Sequence, residues 1–227
     1  MMLIATTVAA SVLFASIASA AGGPAASSPA IPPMIVNVSA APGMSPQLVS
    51  AVLAETDAIW RPSGVTFVWR RAPLAAVSYA GATAIAPYVP NTLRLTIGES
   101  RGIGREGHIP LGWIVFNDGT GPEQEIYLSH ANALAMMEEA RSVVGLVGQM
   151  PQMQRETLLA RAMGRALAHE LGHYLLASKA HTQRGLMKPV MTAVELFMPD
   201  ASVFRIDPAQ RRAVAARLRG DAMVASR

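Results

Sequence analysis

Three of the chain's five histidines fall within thirteen residues, HELGHYLLASKAH (169–181), and Glu170 stands among them. His169-Glu170-Leu171-Gly172-His173 is an H-E-x-x-H array. Four residues of α-helix turn through about 400°, so the two imidazoles leave one side of a helix, roughly one turn apart. Two neutral imidazoles so placed can fill two corners of a tetrahedral zinc. Glu170 lies about 100° further round, where it can reach a water on the metal and stay outside the coordination shell. A Lewis acid, an activated water and an adjacent carboxylate base are the parts needed to hydrolyse an amide.

A catalytic zinc keeps three protein ligands and one open position. His181, eight residues beyond His173, is the candidate third ligand if the helix ends near 176–178 and the chain returns beneath the metal. Glu195, the next acid after Glu170, is the alternative.

A long helix must carry the array, and the pattern predicts one from about Pro151 to Leu176. Met163, Leu167, Leu171 and Tyr174 form one apolar stripe, while Ala162 and Ala166 leave space on the histidine side. Upstream, MIVNVSA (34–40) reads as a strand. Ser45-Pro46 starts a helix that Pro62 and Gly64 stop near Trp60. VTFVWR (65–70), NTLRLTIG (91–98), LGWIVF (111–116) and EIYLS (125–129) read as further strands, the last two joined through the turn residues of FNDGTGPEQ. Residues 132–146 read as a helix, and Asp207-Pro208 opens a C-terminal one.

These features together resemble the metzincins, zinc peptidases with H-E-x-x-H-x-x-G-x-x-H followed by a methionine turn. The resemblance implies an α+β catalytic domain over residues 32–227: a twisted four- to five-stranded mixed sheet, a long active-site helix and a C-terminal helix. It implies a Zn2+ held by His169, His173 and His181, with Glu170 as general base. Met187, in GLMKP (185–189), becomes the turn methionine, packed beneath the metal without ligating it; Met191 is its rival. The implied partner is a peptide or protein substrate, cleaved internally and paired in extended form with LGWIVF or EIYLS. The chain departs from the family pattern at Leu176, where the family has glycine, and at His181, two residues later than the family's third histidine. Lys188 and Pro189 stand where some members place a tyrosine. A gluzincin arrangement with Glu195 as third ligand, or a zinc-stabilised envelope protein without turnover, are the competing readings.

Residues 1–20, MMLIATTVAASVLFASIASA, carry no charged side chain and end on Ala18-Ser19-Ala20, the pattern of a cleavable export signal. Residues 21–31 are small and Gly/Pro/Ser-rich, a linker. The expected location is therefore periplasmic or secreted, with no stable membrane association after cleavage. The absence of cysteine excludes disulfides, thiolate zinc ligands and cysteine nucleophiles. The net charge of +4 owes much to arginines 205, 211, 212, 217 and 219, which no aromatic residues interleave, so nucleic-acid binding is not expected. The expected state is a monomer.

The remaining chemical residues have weaker readings. Asp118, Glu123 and Glu125 match no calcium-loop spacing. His108 and His130 are read as structural, and Ser129 beside His130 has only adjacency to suggest a nucleophile.

Overall fold

The computed structural model describes residues 31–71, 92–102, 109–117, 119 and 121–225. The expected leader (1–20) lies outside the described residues, as do nearly all of the linker, His108 and Asp118. Among the described residues no helix is long and apolar enough to cross a membrane.

The architecture is α+β, as expected, with one five-stranded mixed sheet in the order β2-β1-β3-β5-β4. Strand β1 (Met34–Ala40) buries Met34, Val36 and Val38 on one face. Helix α1 (Pro46–Trp60) carries the chain across to β2 (Phe67–Arg71), which pairs parallel to β1. The Ser45 hydroxyl accepts the Leu48 N–H at 3.2 Å, and Pro46 occupies the first turn, so α1 starts as its sequence dictates. Strand β3 (Thr92–Gly98) lies parallel to β1 on the other side and turns Leu93, Leu95 and Ile97 into the core.

Strands β4 (Gly112–Asn117) and β5 (Gly121–Ser129) form an antiparallel hairpin. Its turn is tighter than FNDGTGPEQ suggests. Gly119 and Gly121 both take positive φ, near +85°, so the chain reverses within a few residues and Pro122 already pairs with Phe116. Trp113 and Tyr127, opposite one another in the ladder, stack with centroids 5.4 Å apart. Strand β5 pairs parallel to β3, which leaves β4 on the sheet's outer edge.

The helix expected over 132–146 is broken. Helix α2 (His130–Glu139) ends at Ala140, whose ψ of 18° departs from the helix, and α3 (Arg141–Val144) follows. The Ser129 hydroxyl caps α2 by accepting the Asn132 N–H at 3.1 Å.

Helix α4 (Gln152–Leu176) is the central support, and its middle is built for close approach to α1. A Cβ at Gly164 would lie 2.8 Å from the Val52 carbonyl oxygen and 2.7 Å from Glu55 Cβ. The Thr56 hydroxyl donates to the Gly164 carbonyl (3.0 Å), and Trp60 Nε1 donates to the Ala168 carbonyl (3.2 Å). Met163, Leu167 and Leu171 of the expected stripe are fully buried. Beyond α4, a loop leads to α5 (Ala193–Phe197) and then to α6 (Pro208–Ala225).

Candidate metal centre

His169 and His173 leave the last two turns of α4, and each ring is fixed by a backbone carbonyl. His169 Nδ1 donates to the Leu186 oxygen at 2.8 Å, and His173 Nδ1 donates to the Ser178 oxygen at 2.7 Å. A carbonyl can only accept, so both Nδ1 atoms carry the proton and both Nε2 atoms present lone pairs. Those two Nε2 atoms face each other 3.0 Å apart. Burial, with a smaller contribution from the neighbouring His181, keeps both rings neutral near pH 7, His169 being pushed down to about 4. Two lone pairs in contact cannot form a hydrogen bond, because each ring's one proton is on Nδ1.

A cation held between the two rings would resolve this contact. Zn–N bonds of about 2.0–2.1 Å in a tetrahedral shell put ligand nitrogens about 3.3 Å apart, close to the observed separation. His181 is the third histidine of the cluster. One ligand atom from each of His169, His173 and His181 lies within 4.8 Å of the others. The His181 ring is stacked against His169 (5.3 Å, 18°) and stands edge-on to His173 (4.8 Å, 89°). Three imidazoles with at least two Nε2 lone pairs converging fit a borderline-soft divalent ion such as Zn2+.

The chain reaches His181 without the expected glycine because Ala177 takes its place. Ala177 has φ 48° and ψ 42°, the only positive φ among the described non-glycine residues. Its N–H and that of Ser178 bond back to the Tyr174 and His173 carbonyls, the pattern with which many helices end on glycine. The loop is then tied to the next turn, since the Thr182 N–H donates to the Met187 carbonyl at 2.9 Å.

Met187 is fully buried beneath the helix. A Cβ at Gly172 would collide with its sulfur, so the glycine between the histidines is the recess that admits the methionine. Met191, the rival, is only half-buried. Gly185 opens the turn with φ +85°; a Cβ there would run into the Arg205 carbonyl, which accepts the Leu186 N–H at 2.9 Å.

Glu170 projects towards the edge strand. Its Cγ lies 3.2 Å from where a Gly112 Cβ would stand. Desolvation pushes its carboxyl up to about 8, while the Ile114 N–H acts in the opposite direction by donating to it. A nearby divalent cation favours the ionised form.

The other candidates are committed elsewhere. Glu195 is outside the histidine cluster: its carboxylate accepts from Lys188 Nζ (2.7 and 2.8 Å) and from the Thr192 N–H (2.7 Å), closing a capping box on α5. Glu123 and Glu125 lie in strand β5, where Glu125 bonds Arg94 and Thr96. His130 bonds Glu99 at 2.8 Å, and Ser129 is fully buried as a helix cap.

One supporting residue carries no signal in the sequence. Arg165, one turn before His169, is 1% exposed. It donates to Glu55 (2.8 Å) and to the Glu195 carbonyl (2.5 Å), and lies 5.0 Å from the Phe204 ring centroid. The segment it grips leads to Arg205, whose carbonyl holds Leu186, whose carbonyl in turn orients His169.

No protein-family model matches the chain, and no curated protein matches it. Among solved structures it is similar to the crystal structure of archaemetzincin from Methanopyrus kandleri, at 15% identity and a TM-score of 0.46, over 82% of this chain and 96% of that one.

Proposed function

We propose that the protein is an exported zinc-dependent endopeptidase, with His169, His173 and His181 as ligands and Glu170 as general base. The observation that carries the reading is the pair of neutral imidazoles whose Nε2 lone pairs meet at 3.0 Å, beside a third imidazole and one desolvated carboxyl. When bound, zinc supplies Lewis-acid polarisation of a carbonyl and acidifies water. Glu170 takes the proton of the attacking water and hands it to the departing amide nitrogen. Leu186 and Ser178 hold the two helix histidines in the tautomer that a ligand needs. Met187, filling the recess at Gly172, fixes the floor of the site. Of the two strands expected to receive substrate, β5 is interior to the sheet and β4 is its edge. An extended peptide therefore adds to β4, across the Gly112–Ile114 stretch that meets Glu170.

Metal analysis and peptide cleavage on the mature protein test this. The wild type is expected to hold one equivalent of zinc and to cleave unstructured peptides, with chelator abolishing turnover. Glu170→Gln is expected to keep the zinc and lose cleavage. Full zinc with no cleavage of any peptide library by the wild type would favour the binding-protein reading, and unchanged turnover in Glu170→Gln would remove Glu170 from its role.

A further inference from the structure

The loop between His173 and His181 places a positive charge beside the site. Lys179 is exposed, yet its backbone is fixed on both sides. The Ser178 carbonyl before it is bonded to His173, and the Ala180 N–H after it donates to the Ser178 hydroxyl at 3.1 Å. Its Nζ lies 5.4 Å from the centroid of the Phe116 ring, a distance at which the ring face attracts a cation. Phe116 belongs to edge strand β4 and meets His173 edge-on, centroids 6.3 Å apart. The ammonium is thus held over the end of the β4 edge, next to the histidines. Laid end to end, those two separations keep it within about 12 Å of the His173 ring. An extended peptide advances ~3.3–3.6 Å per residue, so a substrate group meeting Lys179 sits within roughly three residues of the scissile bond.

The charge of the segment that carries Lys179 is one-sided. Between Glu170 and Glu195 the sequence has no acidic residue, but it has Lys179, Arg184 and Lys188. Lys188 is neutralised by Glu195 at 2.7 Å. Among the described residues Lys179 has no carboxylate partner; its one described contact is the Phe116 ring.

We propose that Lys179, steered by Phe116, is a specificity-determining residue that selects peptides bearing a carboxylate within about three residues of the cleavage point. The proposal rests on the peptidase reading, with the carboxylate coming from an acidic side chain or from the substrate's C-terminus. A cation over an aromatic face keeps two of its three donors available, and a carboxylate entering along β4 replaces no existing ion pair.

The test is equilibrium binding to the zinc-loaded Glu170→Gln protein, read by fluorescence anisotropy so that turnover plays no part. The probes are labelled hexapeptides with blocked ends that differ only in Glu or Gln at one position, plus the Gln peptide with a free C-terminal carboxylate. An exposed ion pair is worth up to about 1 kcal/mol, about fivefold in Kd. The Glu peptide is therefore expected to bind three- to fivefold more tightly than its Gln counterpart. That ratio should fall to about one in Lys179→Met, fall below one in Lys179→Glu, and shrink with added salt. The free-carboxylate peptide shows whether a chain terminus serves equally. Equal binding of the Glu and Gln peptides, no binding of either, or a ratio that survives Lys179→Met would each overturn the proposal. The zinc content of the same samples, and wild-type cleavage measured separately, report on the peptidase reading independently.

Discussion

His173 and Ser178 grip each other twice: the Ser178 N–H donates to the His173 carbonyl at 3.2 Å, and the Ser178 carbonyl accepts from the His173 ring at 2.7 Å. The first bond ends the helix and the second sets the tautomer of the histidine, so one turn of chain does both. Between them stands Ala177 in the left-handed conformation, which costs a residue with a Cβ roughly 1–2 kcal/mol.

Replacing that Cβ is the first prediction. Ala177→Gly is expected to stabilise the protein by about 0.5–1 kcal/mol, because relief of strain exceeds the entropy that glycine adds to the unfolded chain. Thermal unfolding of the metal-free protein measures it. Zinc affinity should be unchanged, since Ser178 keeps both bonds to His173. A lowered Tm would mean that the left-handed residue is not what ends α4.

The second prediction concerns Gly172 and Met187. Gly172→Ala puts a methyl where the Met187 sulfur lies, and overpacking of this kind typically costs about 1–3 kcal/mol. Met187→Ala alone leaves a cavity costing about 2–5 kcal/mol. The double variant is expected to be more stable than the sum of the two losses, because the added methyl enters the space that the methionine vacates. Strict additivity in urea unfolding would show that the two side chains do not compete for one site.

How far these features were legible in the sequence differs from one residue to the next. The strands, α1 with its Ser45 cap and the full extent of α4 follow from local patterning, and so does the convergence of His169 and His173 on one helix face. His181 and Glu195 were both candidate third ligands in the sequence, and only the loop after Ala177, which no local period encodes, brings the His181 ring against the other two. The Thr192-x-x-Glu195 spacing is a capping-box signal that would have committed Glu195 to α5 in advance. The break at Ala140, the alanine at a left-handed cap and the burial of Arg165 depend on tertiary contacts. No local period encodes those.

The third prediction follows from that choice of ligand. Glu195→Ala removes half of the capping box and the partner of Lys188, so about 1 kcal/mol of stability is expected to go. Zinc affinity is expected to stay within twofold of the wild type. His181→Ala should do the reverse, weakening zinc by at least tenfold with little change in the unfolding of the metal-free protein, because its ring is exposed. Competition with a chromogenic chelator reads both, and a large zinc loss in Glu195→Ala would restore the carboxylate as ligand.

The last prediction is a pH profile for the metal-free protein. Glu170 has a folded value of about 8 against an ordinary 4.5, so its neutral form favours folding fully below pH 4.5, and that contribution is lost as pH rises towards 8. His169 and His173 are lowered, so their contribution is present above 6.5 and lost as pH falls, for His169 through about 4. The raised Asp57 and the lowered Glu195 and Asp200 are carboxyls with ordinary values near 4, whose changes fall on the acid side. Between pH 6.5 and 8 the falling limb therefore belongs to Glu170. Unfolding of chelator-treated protein is expected to show stability highest near pH 6.5 and declining towards 8, and Glu170→Gln should flatten that decline. Zinc should oppose it as well, because a divalent charge beside the carboxyl lowers the cost of ionising it in the fold. An alkaline limb equally steep in Glu170→Gln would show that this carboxyl is not the desolvated group.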